Sequence, residues 1–148
     1  MMMAEGVILG HYICAAGIQV DPTKIQVIIL LPTPCTQMEV FIFLGYGSYY
    51  LRFIKKISQI SVPLYDLTRN VDFKWSNKCD TTFTGLKKLV SIAPVLHGPN
   101  WEMPFHIPTH TSNAEIGTVL GQEVDKKPYT IYYISKNLTT VELNYIVT

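Results

Sequence analysis

Cationic and aromatic residues crowd one stretch of this chain, Tyr49-Tyr50-Leu51-Arg52-Phe53-Ile54-Lys55-Lys56. Arginine and lysine can pair with phosphates there while the rings stack on sugars or bases. The competing use is structural, a solvated helix face with its aromatics in the core. Lys87-Lys88 and Lys126-Lys127 read as ordinary solvated charges. His106 and His110 are four apart, the interval that lets two imidazoles share a helical face and hold a zinc ion. Their stretch contains prolines and reads as extended, which argues against that use. Cys14, Cys35 and Cys79 are widely spaced and odd in number, so they build neither a disulfide framework nor a Cys-x-x-Cys metal site. The expected compartment is therefore reducing and intracellular, cytoplasmic or nuclear. No Ser/His/Asp arrangement and no phosphate-cradling glycine loop is visible.

The composition bounds what can carry these residues. Of 148 residues, 48% are hydrophobic and 16% charged, against ~25% charged in an average soluble domain. That balance excludes disorder and predicts a poorly soluble surface. A net charge of +1 leaves no global electrostatic footprint for nucleic acid, so any such binding falls to local patches. The first six residues lack both a basic region and an apolar run, so no secretory signal is expected. Val27–Leu31, the longest aliphatic run, is far short of the ~20 residues that span a bilayer.

The elements that must position these groups follow from pattern. Val7–Cys14 and Ile18–Val20 flank Ala15-Ala16-Gly17 and predict a β-hairpin. Asp21-Pro22 starts a helix that runs to about Leu30 and stops at Leu31-Pro32-Thr33-Pro34. Thr36 and Glu39 form a capping-box pattern opening a second helix, with Val40, Leu44, Gly47, Leu51 and Ile54 on one stripe. Gly45 and Gly47 inside it suggest close packing of another backbone, or a bend. Ser58–Thr68 reads as a short helix interrupted at Pro63, and Val71–Trp75 as an extended piece. Ser76 caps a fourth helix burying Cys79, Phe83, Leu86 and Val90. Trp75 and Trp101 read as core anchors. A boundary between two units is expected near residues 92–102. Beyond it Met103–Thr109, Ile116–Gln122 and Tyr129–Ser135 predict three strands, joined by Ser112-Asn113-Ala114 and Asp125-Lys126-Lys127-Pro128. Thr139 and Glu142 make another capping box.

Leu9-Gly10-His11, Gly17-Ile18 and Val20-Asp21-Pro22 with Lys24-Ile25 resemble the segment after the polymerase palm in gypsy-type LTR retrotransposons. So do Phe43-Leu44-Gly45, Tyr49-Tyr50, Arg52-Phe53-Ile54, Ile60, Pro63-Leu64 and Leu67. The likeness continues through Phe73, Trp75, Cys79, Phe83, Leu86-Lys87 and Ala93-Pro94-Val95-Leu96. Ile116-Gly117, Val119-Leu120-Gly121-Gln122 and Ile131-Tyr132-Tyr133 with Ser135 and Leu138 resemble the start of that family's ribonuclease H domain. The resemblance implies an α+β fold: a β-hairpin with a small helical thumb and connection, then an incomplete ribonuclease H-like α/β unit of three strands and the start of a helix. Residues 1–68 would be the primer-contacting hairpin and thumb, 69–100 the connection, and 101–148 the truncated nuclease-like unit. Nucleic-acid contacts are expected from Leu9, Gly10, His11, Arg52, Lys55 and Lys56.

The family's nuclease cleaves the RNA strand of an RNA–DNA hybrid with two Mg²⁺ ions. Two such ions ~4 Å apart need several oxygen anions to hold them. The family's first aspartate lies in a Cys-Asp-Ala-Ser-like run, which matches Thr109-His110-Thr111-Ser112, so His110 occupies the aspartate position. The next family aspartate, not a metal ligand, matches Asn113. Glu115 stands where the family has an alanine and reads as a solvated surface acid. The palm's Tyr-x-Asp-Asp motif is absent from these residues. The resemblance therefore implies a catalytically inactive reverse transcriptase/ribonuclease H fragment, with no bound cofactor and weak binding to an RNA–DNA hybrid or DNA duplex. Two rivals are a piece of an active RNA-directed DNA polymerase/ribonuclease H polyprotein whose other parts supply the acids, and a repurposed protein-interaction module. An exposed sheet edge is expected to favour self-association.

Overall fold

The structure, a computed structural model, describes residues 5–50, 53–69, 72–111, 115–139 and 142. Among these, two three-stranded antiparallel sheets flank a helical core in an α+β arrangement. No described helix is long and apolar enough to cross a membrane.

The first sheet holds β1 (Gly6–Ile8), β2 (His11–Cys14) and β3 (Gly17–Val20) in that order. The expected hairpin is thus a three-stranded meander, because the strand predicted over Val7–Cys14 folds back at Leu9-Gly10. Both turn residues have positive φ, 49° and 73°, as a two-residue hairpin turn requires. Leucine seldom adopts that conformation, which is why the turn was not legible. Gly17 answers a different need. A Cβ there would sit 2.2 Å from the Leu96 carbonyl oxygen. Without one, Ile18 N donates to Leu96 O (2.7 Å) and Leu96 N donates to Ile18 O (2.9 Å).

Helix α1 (Pro22–Leu30) begins as the sequence predicts, with the Asp21 carboxylate accepting from Thr23 N at 2.9 Å. Its last carbonyls are met from outside the helix. Lys87 Nζ donates to Ile29 O and Leu31 O and lies 4.3 Å from the centre of the Phe83 ring. The expectation of a solvated Lys87 is therefore corrected: its ammonium caps a helix end that the prolines leave unsatisfied.

Helix α2 (Gln37–Tyr49) opens on the Thr36–Glu39 pair. Glu39 reaches back to Cys35 N (2.7 Å), one residue before the cap. Val40, Phe43 and Leu44 are buried, but the helix stops at Tyr49. Tyr50, Phe53 and Ile54, beyond the helix, are also buried in the core, and Leu51 lies outside the described residues. Gly45 and Gly47 meet no other backbone; a Cβ on either would face nothing within 4 Å. The predicted Ser58–Thr68 helix is two, α3 (Ile57–Ile60) and α4 (Val62–Arg69). The break falls at Ser61, whose hydroxyl donates to Ile57 O (2.7 Å), while Pro63 sits in the first turn of α4, where its missing N–H costs nothing.

Helix α5 (Asn77–Ser91) follows Phe73–Trp75, which has no regular structure; Val71 lies outside the described residues. Its buried residues are the predicted Cys79, Phe83, Leu86 and Val90. These join Ile28, Val40, Phe43, Phe53, Leu64 and Leu96 in one hydrophobic cluster, against which Trp75 packs. Trp101 does not anchor a core; it is 80% exposed and touches Phe105 edge-on.

The second sheet orders β4 (Thr109–Thr111), β5 (Glu115–Val124) and β6 (Lys127–Asn137). The strand predicted over Met103–Thr109 shrinks to a single bridge, His106 to Gly121, before β4. Pro104 and Pro108 have no N–H to give a ladder. The predicted four-residue joint narrows to a two-residue turn, Asp125-Lys126, with φ of 51° and 62°. Gln122, 1% exposed, uses its whole amide. Its Oε1 accepts from Asn100 N (2.8 Å) and Tyr129 Oη (2.7 Å), and its Nε2 donates to Asn100 O (2.7 Å) and Met103 O (3.0 Å). Thr139 and Glu142 form the predicted box, and Lys136 is the main reason the Glu142 carboxyl falls to about 2.

The glycines separate two physical roles, and substitution tells them apart. Gly17→Ala adds a Cβ against a carbonyl at φ +133° and is expected to lose more than ~3 kcal/mol, the scale of a strained and overpacked site. Gly45→Ala and Gly47→Ala, with open space, should each gain about 0.5–1 kcal/mol and raise the thermal midpoint by about 2–4 °C. Thermal and urea unfolding of the three variants checks both directions.

Candidate nucleic-acid interface

Two concave surfaces hold the residues singled out by sequence. The first lies where the β1–β2 turn leans on α2. Gly10 makes that approach possible, since a Cβ there would come within 3.2 Å of the Tyr49 ring. Leu9 stands at the tip, 84% exposed. Leu9, Gly10, Lys24, Ile42, Tyr46 and Tyr49 line an open groove of about 500 Å³, with Gly45 on its wall. His11 is brought here, though as support for the groove and not as an exposed contact. Its ring is 6% exposed and stacks on Tyr49 (centroids 4.8 Å) and Phe53 (5.8 Å). Its Nδ1 lies 3.1 Å from Leu9 O and 3.5 Å from Tyr49 Oη, which ties the ring to the hairpin turn and to α2. Tyr50, buried beneath, is pushed up to about 12 by burial first and then by the Asp21 carboxylate and Tyr49.

The second surface forms between α3 and the second sheet. In the strand register His110 lies beside Gly117, and Gly117 beside Ser135, so the three share one face. That face meets α3. Ser58 N donates to Ser135 Oγ (3.2 Å), Ser58 Oγ donates to Ser135 O (2.7 Å), and Asn137 Nδ2 donates to Ser58 O (2.9 Å). The clamp holds the exposed turn Lys55-Lys56 over β4 and β5. A cleft of about 170 Å³ results, its polar lining being Lys55, Lys56, Gln59, His110, Thr111 and Thr118. Lys56 has φ 57° and ψ 28°, left-handed geometry that costs a lysine roughly 1 kcal/mol or more.

These residues do not fit Mg²⁺. A hard divalent ion wants oxygen anions; none of the described residues that line the cleft is an acid, and two are lysines. Among the described residues no group of three or more His, Cys, Asp or Glu is placed to hold a metal. His106 and His110 do not share a site either, since they pair with Gly121 and Gly117, four residues apart along β5. Arg52, Asn113 and the Glu115 side chain lie outside what the structure describes. Sequence reading missed Lys24, Tyr46, Gln59 and Thr118, because both surfaces arise from packing between segments far apart in the chain.

Comparison with known proteins places these surfaces in context. A family described as an RNase H-like domain found in reverse transcriptase matches residues 75–148. The chain is 36% identical to the retrovirus-related Pol polyprotein from transposon opus of Drosophila melanogaster, over 93% of this chain and 15% of that protein. It is 33% identical to the corresponding polyprotein from transposon 297 of the same species, over 95% of this chain and 13% of that protein. The chain thus spans only a small part of these relatives. The fold matches foamy viral protease-reverse transcriptase solved in complex with dsDNA, with a TM-score of 0.85, 21% identity, and coverage of 97% of this chain and 26% of that one. The same protein in complex with RNA/DNA hybrid gives a TM-score of 0.83 at 21% identity, over 97% and 20% of the two chains.

The groove floor makes a pH prediction. Tyr50 keeps its proton longer folded than unfolded, about 12 against an unfolded value of ~10. Its contribution to stability is complete below pH ~10 and is lost as pH rises from there towards 12. Urea unfolding across that range should show a steeper loss in the native chain than in Tyr50→Phe. Equal slopes would remove Tyr50 as the cause.

Proposed function

Because the chain belongs to the RNase H-like domain family found in reverse transcriptase, as a stretch of a retrotransposon Pol polyprotein, we propose that it no longer cleaves RNA and retains a weak grip on a nucleic-acid duplex. The observation that carries the first half is that His110 shares a cleft with Lys55 and Lys56 whose described lining holds no acid. Cleavage by two metal ions needs carboxylates at that place, and cations there oppose it. The second half rests on the groove and the turn beside it. Leu9 and Gly10 present the hairpin tip, Tyr46 and Tyr49 offer rings for stacking, and Lys24, Arg52, Lys55 and Lys56 offer charges for phosphates. In this reading residues 1–68 act as primer-contacting hairpin and thumb, 69–100 as connection, and 101–148 as part of a nuclease-like unit. The fold match to a reverse transcriptase solved with dsDNA and with RNA/DNA hybrid makes both duplexes the partners to try.

A second reading keeps the stretch inside a working polyprotein whose other segments supply the acids; its identity to the opus polyprotein favours it. The histidine at position 110 counts against it.

Fluorescence anisotropy of a labelled RNA–DNA hybrid, with cleavage followed in the same samples with Mg²⁺, tests the proposal. Binding with a dissociation constant of about 10⁻⁴–10⁻⁶ M is expected, weakening as salt rises with a log–log slope of roughly −3. Lys24→Glu should weaken it about tenfold and Tyr49→Ala by a similar factor. No cleavage should occur. Hybrid cleavage by the unmodified chain would overturn the catalytic half, and a folded sample that binds neither duplex would overturn the binding half.

A further inference from the structure

The α3–sheet cleft has a chemistry of its own, distinct from the groove. Its polar side chains on the α3-facing side are two lysine ammoniums, the Gln59 amide and the His110 imidazole; Thr111 and Thr118 border the cleft too, but they alternate with His110 and Gly117, and the Thr118 hydroxyl donates to Thr109 Oγ1 at 3.3 Å. At about 170 Å³ it has room for an oxyanion and part of its shell. Gly117 contributes no side chain between His110 and Ser135, so the face stays open there. We propose that this cleft is a metal-free phosphate site, taking a phosphate group from a nucleic-acid strand or a free phosphate ester through Lys55, Lys56, Gln59 and His110. The inference rests on the reading above that Lys55 and Lys56 meet phosphates, and not on the groove.

Three observations carry it. First, the fixed charge lining the cleft is of one sign, which suits a compact anion and repels a divalent cation. Second, the site joins two segments that sequence separates, and the Ser58–Ser135 and Asn137–Ser58 bonds fix one against the other. The two backbone segments that carry the donors are thus fixed before any ligand arrives, which lowers part of the entropy loss on binding. Third, Lys56 holds an unfavourable backbone conformation, with no side-chain hydrogen bond at the helix cap to offset it. Glycine or asparagine would sit there with less strain. A strained lysine lining the cleft is the mark of a position kept for what its side chain does.

The test uses the whole chain and titrates inorganic phosphate and pyrophosphate while following backbone amide shifts by NMR. Saturable shifts are expected at residues 55–59, 109–111 and 117–119, with pyrophosphate binding more tightly. Lys56→Gly should weaken binding about five- to tenfold while raising the thermal midpoint. A lysine that was merely structural would not move these two readouts in opposite directions. His110→Asp places an acid between the lysines and should weaken phosphate about tenfold. A single-stranded oligonucleotide that displaces phosphate competitively makes the strand the source; tighter binding of a phosphate monoester without such competition makes it a free ester. No saturable shift in a folded sample, or binding indifferent to both Lys56→Gly and His110→Asp, overturns the site. Loss of duplex binding with phosphate binding intact would sink the groove reading and leave this one standing.

Discussion

The fold hangs on a backbone exchange between Ile18 and Leu96. Their two hydrogen bonds, 2.7 and 2.9 Å, join the first sheet to the segment leaving α5. The Leu96 side chain lies in the helical cluster, and the next residue, His97, donates its N–H to Thr130 O in β6. His97 also places Nδ1 3.2 Å from Ala16 O and its ring edge-on to Tyr129. Two adjacent residues therefore meet all three layers, and only a glycine at 17 leaves room for the approach. The Ser58–Ser135–Asn137 clamp makes a second tie on the other side of β6. With both in place the sheet cannot slide against the helices, and a cleft between them keeps its shape.

What the sequence made legible were features governed by neighbours a few residues away. The Asp21-Pro22 start, the Ser76 cap and the four buried residues of α5 depend on local hydrogen bonds and a 3.6-residue period, and all appear as expected. The second sheet's longer strands were also foreseen, if too short. Its first strand was overdrawn because two prolines withhold ladder donors. Features set by distant contacts were not legible. Lys87 looked like a surface charge because its partners, Ile29 O and Leu31 O, are 58 and 56 positions away. Gln122 looked like one polar residue in an apolar strand, yet it pins the 100–103 loop to the sheet with three hydrogen bonds and accepts a fourth from Tyr129. Trp101 looked like an anchor because of its size alone.

The candidate site divides in the same way. The cationic and aromatic residues were visible as types, and His110 was visible through family likeness. Their roles were not, because burial decides them. His11 lies behind Tyr49, and Lys55 and Lys56 overhang a sheet more than fifty residues further along the chain. The groove and the cleft are products of the two ties, not of any one motif.

A pattern in the local choices supports placing function at these two surfaces. A chain tuned for stability alone would put glycine or asparagine at positions 9 and 56, both in left-handed geometry, and alanine at position 45 in mid-helix. Instead Leu9 caps the groove, Gly45 keeps its wall low, and Lys56 lines the cleft. Each departs from what the local backbone favours, and each borders a concave surface. Local conflicts of this kind gather where a protein is shaped for something other than folding. Gly47, which borders only a small apolar pocket within the helical layer, and Asp125 and Lys126, whose positive φ serves the β5–β6 turn, are the exceptions: the departures at 9, 45 and 56 border the two surfaces, and these three border neither.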